Sequence, residues 1–192
     1  MKRITVFCGS GSGSDAAYID EARELGVTLA AKGIGLVYGG AKIGLMGAVA
    51  DAVMNAGGKV TGVLPGFLQK REVAHEGLTE LIIVESMHER KLRMHELSDG
   101  IIALPGGYGT LEELFEMLTW SQLGLHSKPI GILNTAGFYD GLIAFIDHML
   151  TNGFLSPANR QMLLIGTSVQ DLLKKMEEHK GGHSARGMEK KV

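Results

Sequence analysis

The sequence lacks the features that define several large classes of protein. Cys8 is the only cysteine among 192 residues, which excludes an intrachain disulfide and any zinc site built from several cysteines. The formal net charge is only −2, so nothing attracts the whole chain to nucleic acid. No run approaches the roughly 18 apolar residues that cross a bilayer, and no repeat or low-complexity block occurs. We therefore expect a cytoplasmic protein that binds neither nucleic acid nor membrane.

Glycine is the residue that the sequence has in excess. The chain contains 28 glycines, about twice the usual share of roughly 7%, and they show no collagen-like period. Glycine-rich turns separate short β-branched runs from longer amphipathic ones, and the two kinds of run alternate along the chain. This alternation predicts an α/β fold: a single Rossmann-like domain over residues 1–179, with a mostly parallel sheet of about seven strands and helices on both faces. The polar segment 180–192 lacks periodicity and is predicted to be a flexible tail.

The predicted elements place the loops that can carry function. Parallel sheets bind ligands beyond the carboxyl ends of their strands, so the loops after strands one, two, three and five are candidates. The predicted strands are 4–8, 35–38, 59–64, 81–84, 101–104, 130–133 and 163–165. The predicted helices are 14–32 (with Ser14 or Asp15 as N-cap), 45–56, 87–97, 110–123, 139–152 and 168–179.

The stretch 104–116, Leu-Pro-Gly-Gly-Tyr-Gly-Thr-Leu-Glu-Glu-Leu-Phe-Glu, is the strongest candidate site. It follows a buried strand and leads into an amphipathic helix. Glycines let the backbone approach a ligand closely, and the exposed N–H groups of a helix start favour an anion. We therefore predict that Gly106, Gly107, Gly109 and Thr110 bind a phosphate group.

Three carboxylates follow this predicted phosphate site within two helical turns. Helical spacing places Glu113, Glu116 and Trp120 on one face and turns Glu112 elsewhere. Acids in a first turn also suit the helix dipole, so a purely structural role is the alternative. A carboxylate this close to a phosphate would repel it, which favours a chemical task for Glu113 or Glu116.

A first glycine loop, at residues 9–14, invites a dinucleotide interpretation. Residues 11–16 fit the pattern G-x-G-x-x-A. That fingerprint also needs an acidic residue about twenty positions on, where this chain has Tyr38 followed by glycines. Binding of NAD is therefore disfavoured, and Ser10 is retained as a candidate ligand contact.

A second glycine loop, at residues 39–44, has the opening spacing of a P-loop. Leu45 and Met46 stand where a P-loop has lysine and serine or threonine, so it is not an NTPase loop. Two interpretations remain equally open. Gly39 and Gly40 contact the ligand directly, or the loop is a plain turn that allows close helix packing.

The segment Met-His-Glu-Arg-Lys at residues 87–91 opens the helix before the candidate strand. Ser86 and Glu89 have the spacing of a capping box, which gives Glu89 a structural role. Arg90 lies near the same predicted edge of the sheet and can grip phosphate or carboxylate with two nitrogens. The seven histidines form no metal-binding pair, and Cys8 is interpreted as a small buried hydrophobe.

These segments together carry a family resemblance. Residues 105–113, P-G-G-Y-G-T-L-E-E, resemble the P-G-G-x-G-T-x-x-E motif of the LONELY GUY (LOG) proteins, formerly labelled possible lysine decarboxylases. Residues 87–91 resemble that family's M-H-x-R-K segment at the expected distance upstream. The resemblance includes residues 39–47 and covers roughly 4–165, with one departure at Ala41, where many members have glycine.

The resemblance implies an enzyme that cleaves the N-glycosidic bond of N6-modified adenosine 5′-monophosphates, releasing free base and ribose 5-phosphate. It implies Arg90 and Glu113 as the catalytic pair. It also implies a homodimer and no cofactor or metal. Further substrate contacts implied by the motifs are Glu72, Lys91, Tyr108 and Thr119.

Two other functions stay open at this point. One is a non-catalytic carrier of a phosphorylated ligand, because related folds carry the molybdenum cofactor. The other is a general purine monophosphate nucleosidase. A decarboxylase that uses pyridoxal phosphate is disfavoured, since no lysine has a context suited to a Schiff base.

Overall fold

Seven short strands pair in one sheet, and every pairing between them is parallel. The computed structural model describes residues 1–68 and 74–179. In the sheet the strands follow the order β4-β3-β2-β1-β5-β6-β7. Their bounds are β1 Arg3–Phe7, β2 Gly35–Tyr38, β3 Val60–Pro65, β4 Glu80–Val84, β5 Gly100–Ala103, β6 Ile130–Leu133 and β7 Leu163–Gly166.

Helices cover both faces of this sheet and complete two hydrophobic cores. One core packs the sheet against α1, α2 and α7, and the other packs it against α3, α4 and α5. Short 3₁₀ turns occupy Gly66–Leu68 and Thr135–Gly137. The helices are α1 Ala16–Ala31, α2 Gly44–Asn55, α3 Met87–Glu96, α4 Tyr108–Gln122, α5 Asp140–Thr151, α6 Pro157–Arg160 and α7 Val169–Glu178. None of them, within the described ranges, is both long enough and apolar enough to cross a bilayer.

The predicted fold class is confirmed, and most element bounds differ from the prediction by one or two residues. The difference that matters is at α4, which begins at Tyr108 and not at Thr110. The glycine-rich segment therefore includes the first helical turn itself. The sequence analysis also missed the one-turn helix α6. The predicted tail 180–192 lies outside the described residues.

Side-chain caps explain where two of the helices begin. Asp15, one of the two predicted N-caps of α1, accepts a hydrogen bond from the N–H of Ala17 at 2.9 Å. Ser86 accepts one from the N–H of Glu89 at 3.1 Å. Glu89 reaches back to the N–H of Glu85, one residue before the N-cap, at 2.8 Å, so its predicted structural role is confirmed although this bond lies one residue outside the capping box.

The direction of the strand order reverses between β1 and β5, which pair side by side. At such a switch point the two loops diverge and leave a crevice at the carboxyl edge of the sheet. Here the loops are also bonded to each other, because the N–H of Gly9 donates to the carbonyl of Pro105 at 3.0 Å. The fold thus brings the first glycine loop beside the start of α4.

Candidate active site

A cavity of about 330 Å³ lies at this edge of the sheet. It gathers side chains and backbone from the β1 loop, α2, the turn after β3, α3 and the first two turns of α4. Its lining residues are Cys8, Gly9, Ser10, Met46, Leu68, Met87, Arg90, Gly107, Tyr108, Gly109, Thr110, Glu112 and Glu113. The structure therefore brings together Ser10, Arg90, Glu113 and three residues of the predicted phosphate site, Gly107, Gly109 and Thr110.

The helix start at α4 is open to a ligand. Its N-cap is Gly107, which has no side chain to bond the N–H groups of the first turn. By contrast, the N-caps of α1, α3, α6 and α7 each accept a backbone hydrogen bond: Asp15, Ser86, Ser156 and Ser168. A Cβ added at Gly107 or Gly109 would meet nothing within 4 Å, so the backbone there faces free space. This geometry suits an anion held by N–H groups and by the helix dipole.

Gly106 has a different task from its two neighbours. A Cβ at this position would overlap Oγ1 of Thr110 and lie 2.9 Å from the nitrogen of Gly9. Thr110 itself is only 4% exposed. Gly106 is therefore needed for the close packing of the loop onto α4. It is next to the predicted phosphate site but does not line the cavity.

Arg90 is buried and held from two strands. Its Nε donates to the carbonyl of Val63 at 3.1 Å, and its Nη2 donates to the carbonyl of Gly39 at 3.0 Å. Its Nη1 lies 3.8 Å from the sulfur of Met87. Only 5% of the residue is exposed, so the guanidinium is a cation fixed in the wall of the cavity.

Cys8 lines the same cavity as Glu113 and Arg90. Burial raises the pKa of its thiol well above the usual range; the charge of Glu113 raises this pKa further, and that of Arg90 lowers it by less. The thiol therefore stays protonated, which fits the interpretation of Cys8 as a buried hydrophobe.

Glu112 and Glu116 converge on Lys91. The Nζ of Lys91 lies 2.5 Å from Oε1 of Glu112 and 3.0 Å from Oε2 of Glu116. Helical spacing grouped Glu116 with Glu113 and turned Glu112 elsewhere, but in the structure Glu116 shares Lys91 with Glu112, because one helical turn separates these two residues and aligns them toward α3. Lys91 and Glu116 do not line the cavity, whereas Glu112 does.

The second glycine loop packs against its neighbours. The N–H of Leu45, at the start of α2, bonds the carbonyls of Gly9 at 3.1 Å and Gly11 at 3.3 Å. Gly40 adopts a positive φ of 82°, and its carbonyl accepts a bond from the N–H of His75. Gly39 supports Arg90. Neither Gly39 nor Gly40 lines the cavity, so the structure favours the packing interpretation of this loop.

The two remaining predicted substrate contacts, Glu72 and Thr119, have different outcomes. Glu72 lies outside the described residues. Thr119 bonds the carbonyl of Phe115 at 2.7 Å, one turn back on α4. It borders a second, mainly apolar groove of about 230 Å³, which also includes Phe115, Leu118, Ile146, Met149, Phe154 and Leu155.

Several lining residues were not predicted. Met87 is part of the recognised segment, and Gly9 follows β1, so their positions could have been inferred. Met46 comes from α2, within the segment 39–47 of the resemblance, but was not singled out. Leu68 comes from the turn after β3, where no local pattern marks it. Across residues 1–68 and 74–179 there is no group of three or more His, Cys, Asp or Glu arranged to hold a metal ion.

Comparison with known proteins agrees with these motifs. The sequence model of a family described as "Possible lysine decarboxylase" matches residues 46–176. The chain is 49% identical over 183 residues to cytokinin riboside 5′-monophosphate phosphoribohydrolase LOG1 of Arabidopsis thaliana, covering 95% of this chain and 86% of that protein. It is also 49% identical to the LOG enzyme of Oryza sativa subsp. japonica, covering 93% of this chain and 74% of that one.

Solved structures show the same fold. The X-ray structure of TM1055 superposes with a TM-score of 0.70 at 26% identity, covering 92% of this chain and 99% of the other. The Moco carrier protein of Chlamydomonas reinhardtii superposes with a TM-score of 0.68 at 20% identity, covering 91% and 94%. At that identity the second likeness concerns the fold alone.

Proposed function

The chain belongs to the family described as possible lysine decarboxylases, and from this premise we propose that it is a cytokinin riboside 5′-monophosphate phosphoribohydrolase. The reaction is hydrolysis of the bond between C1′ of the ribose and the N6-modified adenine. Water adds its oxygen to C1′, and the base leaves with a proton. The products are the free base and ribose 5-phosphate.

One observation supports this proposal most directly: Arg90 and Glu113 line the same cavity as the open start of α4. A 5′-phosphate bound by the backbone of Gly107, Gly109 and Thr110 is the anion that such a helix start accepts. A ribose attached to that phosphate then lies within reach of the second helical turn. Glu113 is in that turn.

The chemistry of glycosidic cleavage assigns a role to each charged group. Breaking the bond builds positive charge on the sugar, which a fixed carboxylate such as Glu113 stabilises, and the same carboxylate can accept a proton from the attacking water. Arg90 is a permanent cation that the carbonyls of Val63 and Gly39 hold in place. It orients the carboxylate or binds the departing base, whose nitrogens gain electron density.

The remaining side chains of the cavity suit the base. Met46, Leu68 and Met87 give it an apolar side, and Tyr108 is 94% exposed at its mouth. We propose that these residues contact the modified adenine and that Ser10 contributes a polar contact. Contacts from Glu72 and Thr119 remain predictions from the family resemblance.

Direct assay of base release tests the function. Isopentenyladenosine 5′-monophosphate, AMP, GMP and isopentenyladenosine are incubated separately with the pure protein, and free base is quantified by chromatography. The prenylated monophosphate should be cleaved, and the nucleoside without phosphate should not. Glu113→Gln and Arg90→Met should each abolish release; undiminished release in both variants would overturn the site assignment.

The same panel separates the two alternatives. Equal cleavage of AMP, GMP and the prenylated nucleotide would identify a general purine monophosphate nucleosidase. A carrier of a phosphorylated ligand needs the phosphate site without a charged pair, so Arg90 and Glu113 in one cavity argue against it. Co-purification of a pterin without turnover of any nucleotide would favour the carrier.

We also propose a cytoplasmic homodimer. The groove between α4 and α5 is mainly apolar, and Phe154, which lines it, is a large exposed side chain. Light scattering after size exclusion should give twice the mass of the chain. Phe154→Ser should shift the protein toward the monomer, and a wild-type monomer would contradict the proposal.

A further inference from the structure

Lys91 has an unusual setting for a residue beside a phosphate site. It is only 4% exposed, and its ammonium contacts carboxylates of Glu112 and Glu116 on the neighbouring helix. Burial alone lowers the pKa of Lys91, but the hydrogen bonds that its ammonium donates to the carboxylates of Glu112 and Glu116, together with their negative charges, outweigh it and the net shift is upward. Lys91 therefore stays charged within this cluster.

The two carboxylates occupy a position that is unfavourable for binding phosphate. Glu112 lines the cavity together with Gly107, Tyr108, Gly109 and Thr110, at the helix start that accepts an anion. Glu116 is one turn further along and is largely shielded from solvent. Without a compensating cation, both would repel a bound phosphate; solvent screens Glu112, whose side chain is 56% exposed, more than Glu116, whose side chain is 24% exposed.

We propose that Lys91 is a positioning residue that acts through Glu112 and Glu116, and that it makes no direct contact with the substrate. It neutralises much of the repulsion between these acids and the substrate phosphate. The inference rests on the proposed function, because it takes a 5′-monophosphate as the ligand.

Removal of the lysine and removal of its acidic partners should have opposite effects. Lys91→Met leaves two uncompensated carboxylates, so KM for the prenylated monophosphate should rise about tenfold. The phosphate is repelled equally in the ground and transition states, so kcat should change little. Adding Glu112→Gln and Glu116→Gln removes the repulsion with nearly unchanged shape, and KM should return to within about threefold of wild type.

Salt provides a readout that a merely structural role would not move. In the wild type, added NaCl should weaken phosphate binding and raise KM. In Lys91→Met the dominant effect of salt is to screen the repulsion, so KM should fall as NaCl increases. Arg93→Met is the matched control, because Arg93 is a cation of the same helix that pairs with Glu96 on the surface, and its KM should match the wild type.

Binding of ribose 5-phosphate, measured by calorimetry on all four proteins, separates this inference from the function. If the wild type binds ribose 5-phosphate but cleaves no nucleotide, the proposed function fails, and the binding constants still test Lys91. A triple variant that binds as weakly as Lys91→Met would overturn the inference, because it would mean that the ammonium itself contacts the ligand. If Lys91→Met does not fold, the triple variant compared with the wild type decides the question alone.

Discussion

The carbonyl of Gly39 accepts a 3.0 Å hydrogen bond from Nη2 of Arg90, and the same guanidinium fills the space where a side chain at position 39 would lie. The two residues come from β2's end and from α3, so neither local sequence reveals the fit. Gly39 thus belongs to the site through the arginine that it supports.

Gly39→Ala should impair catalysis while the protein stays folded. A methyl group there must displace the guanidinium, and a misplaced catalytic group commonly costs about 100-fold in rate. Steady-state kinetics should show the loss in kcat, and the melting temperature should confirm folding. Gly141→Ala is the control, since a Cβ there meets nothing within 4 Å and activity should be retained. Unchanged kcat in Gly39→Ala would show that Arg90 does not depend on this support.

Two buried tyrosines should respond in opposite ways to loss of the hydroxyl. Tyr139 donates a 2.6 Å hydrogen bond to the carbonyl of Leu104, directly before the phosphate loop, so Tyr139→Phe leaves a buried acceptor without its donor. The expected loss is about 1–3 kcal/mol in the free energy of unfolding. Among the described residues the hydroxyl of Tyr38 has no hydrogen-bond partner, so Tyr38→Phe should be neutral or stabilising. Urea unfolding measures the free energy of unfolding of both variants. Equal losses in Tyr139→Phe and Tyr38→Phe would contradict this explanation.

Acid should destabilise the protein through His95 before its carboxylates titrate. In the folded state the pKa of His95 is lowered from 6.5 to about 4, mainly by burial. The charges of Lys128 and then of His126 lower this pKa further, whereas the charge of Glu96 raises it. Burial also lowers the pKa of His126. Because the unfolded chain takes up these protons first, the contribution of the two histidines to stability is complete well above pH 6.5. It is lost as the pH falls toward 4.

Urea midpoints measured between pH 7 and pH 4 check this expectation. His95→Gln removes the titrating group, so its midpoint should decline less steeply across that window than the wild-type midpoint. Asp99, whose pKa is also lowered from 3.8, begins to affect stability only toward the acid end of this window, and because both proteins contain it, its effect cancels in the comparison. Parallel curves for the two proteins would exclude His95 as the cause.

The cap of α1 distinguishes two adjacent residues that the sequence leaves equivalent. Asp15 accepts the hydrogen bond from the N–H of Ala17, so Asp15→Ala should lower the free energy of unfolding by about 1 kcal/mol. Ser14→Ala should change it by less than about 0.5 kcal/mol. Chemical denaturation of both variants measures these changes in the free energy of unfolding. A larger loss in Ser14→Ala than in Asp15→Ala would show that Ser14 is the cap.

The fold class could be predicted because it follows from patterns within short segments of the sequence. Short β-branched runs and amphipathic runs alternate along the chain, and a chain of this kind can bury both only as a parallel sheet between helices. The order of the strands depends on which neighbours pair in space, which no single segment reveals. The start of α4 was misplaced because glycines are poor helix formers, and here tertiary packing outweighs that preference.

The site was predictable to the extent that its residues are close together in the sequence. The glycines before α4, the following Glu113 and the upstream Arg90 were found from spacing and motif. The partners of Lys91 were missed because helical geometry alone cannot say which face of α4 meets α3. Tyr139 was missed for a similar reason, since its contact with Leu104 depends on how α5 packs at the end of the sheet.

The hydrogen bond between Gly9 and Pro105 joins loops from distant parts of the chain. These loops can meet only after β1 and β5 have paired, so the phosphate site exists only when the centre of the sheet is assembled. Ligand binding should consequently slow amide hydrogen exchange throughout β1 and β5 and raise the melting temperature of the protein. An effect limited to reduced mobility of a surface loop is not expected. Occupancy of the site thereby reports on the integrity of the whole domain.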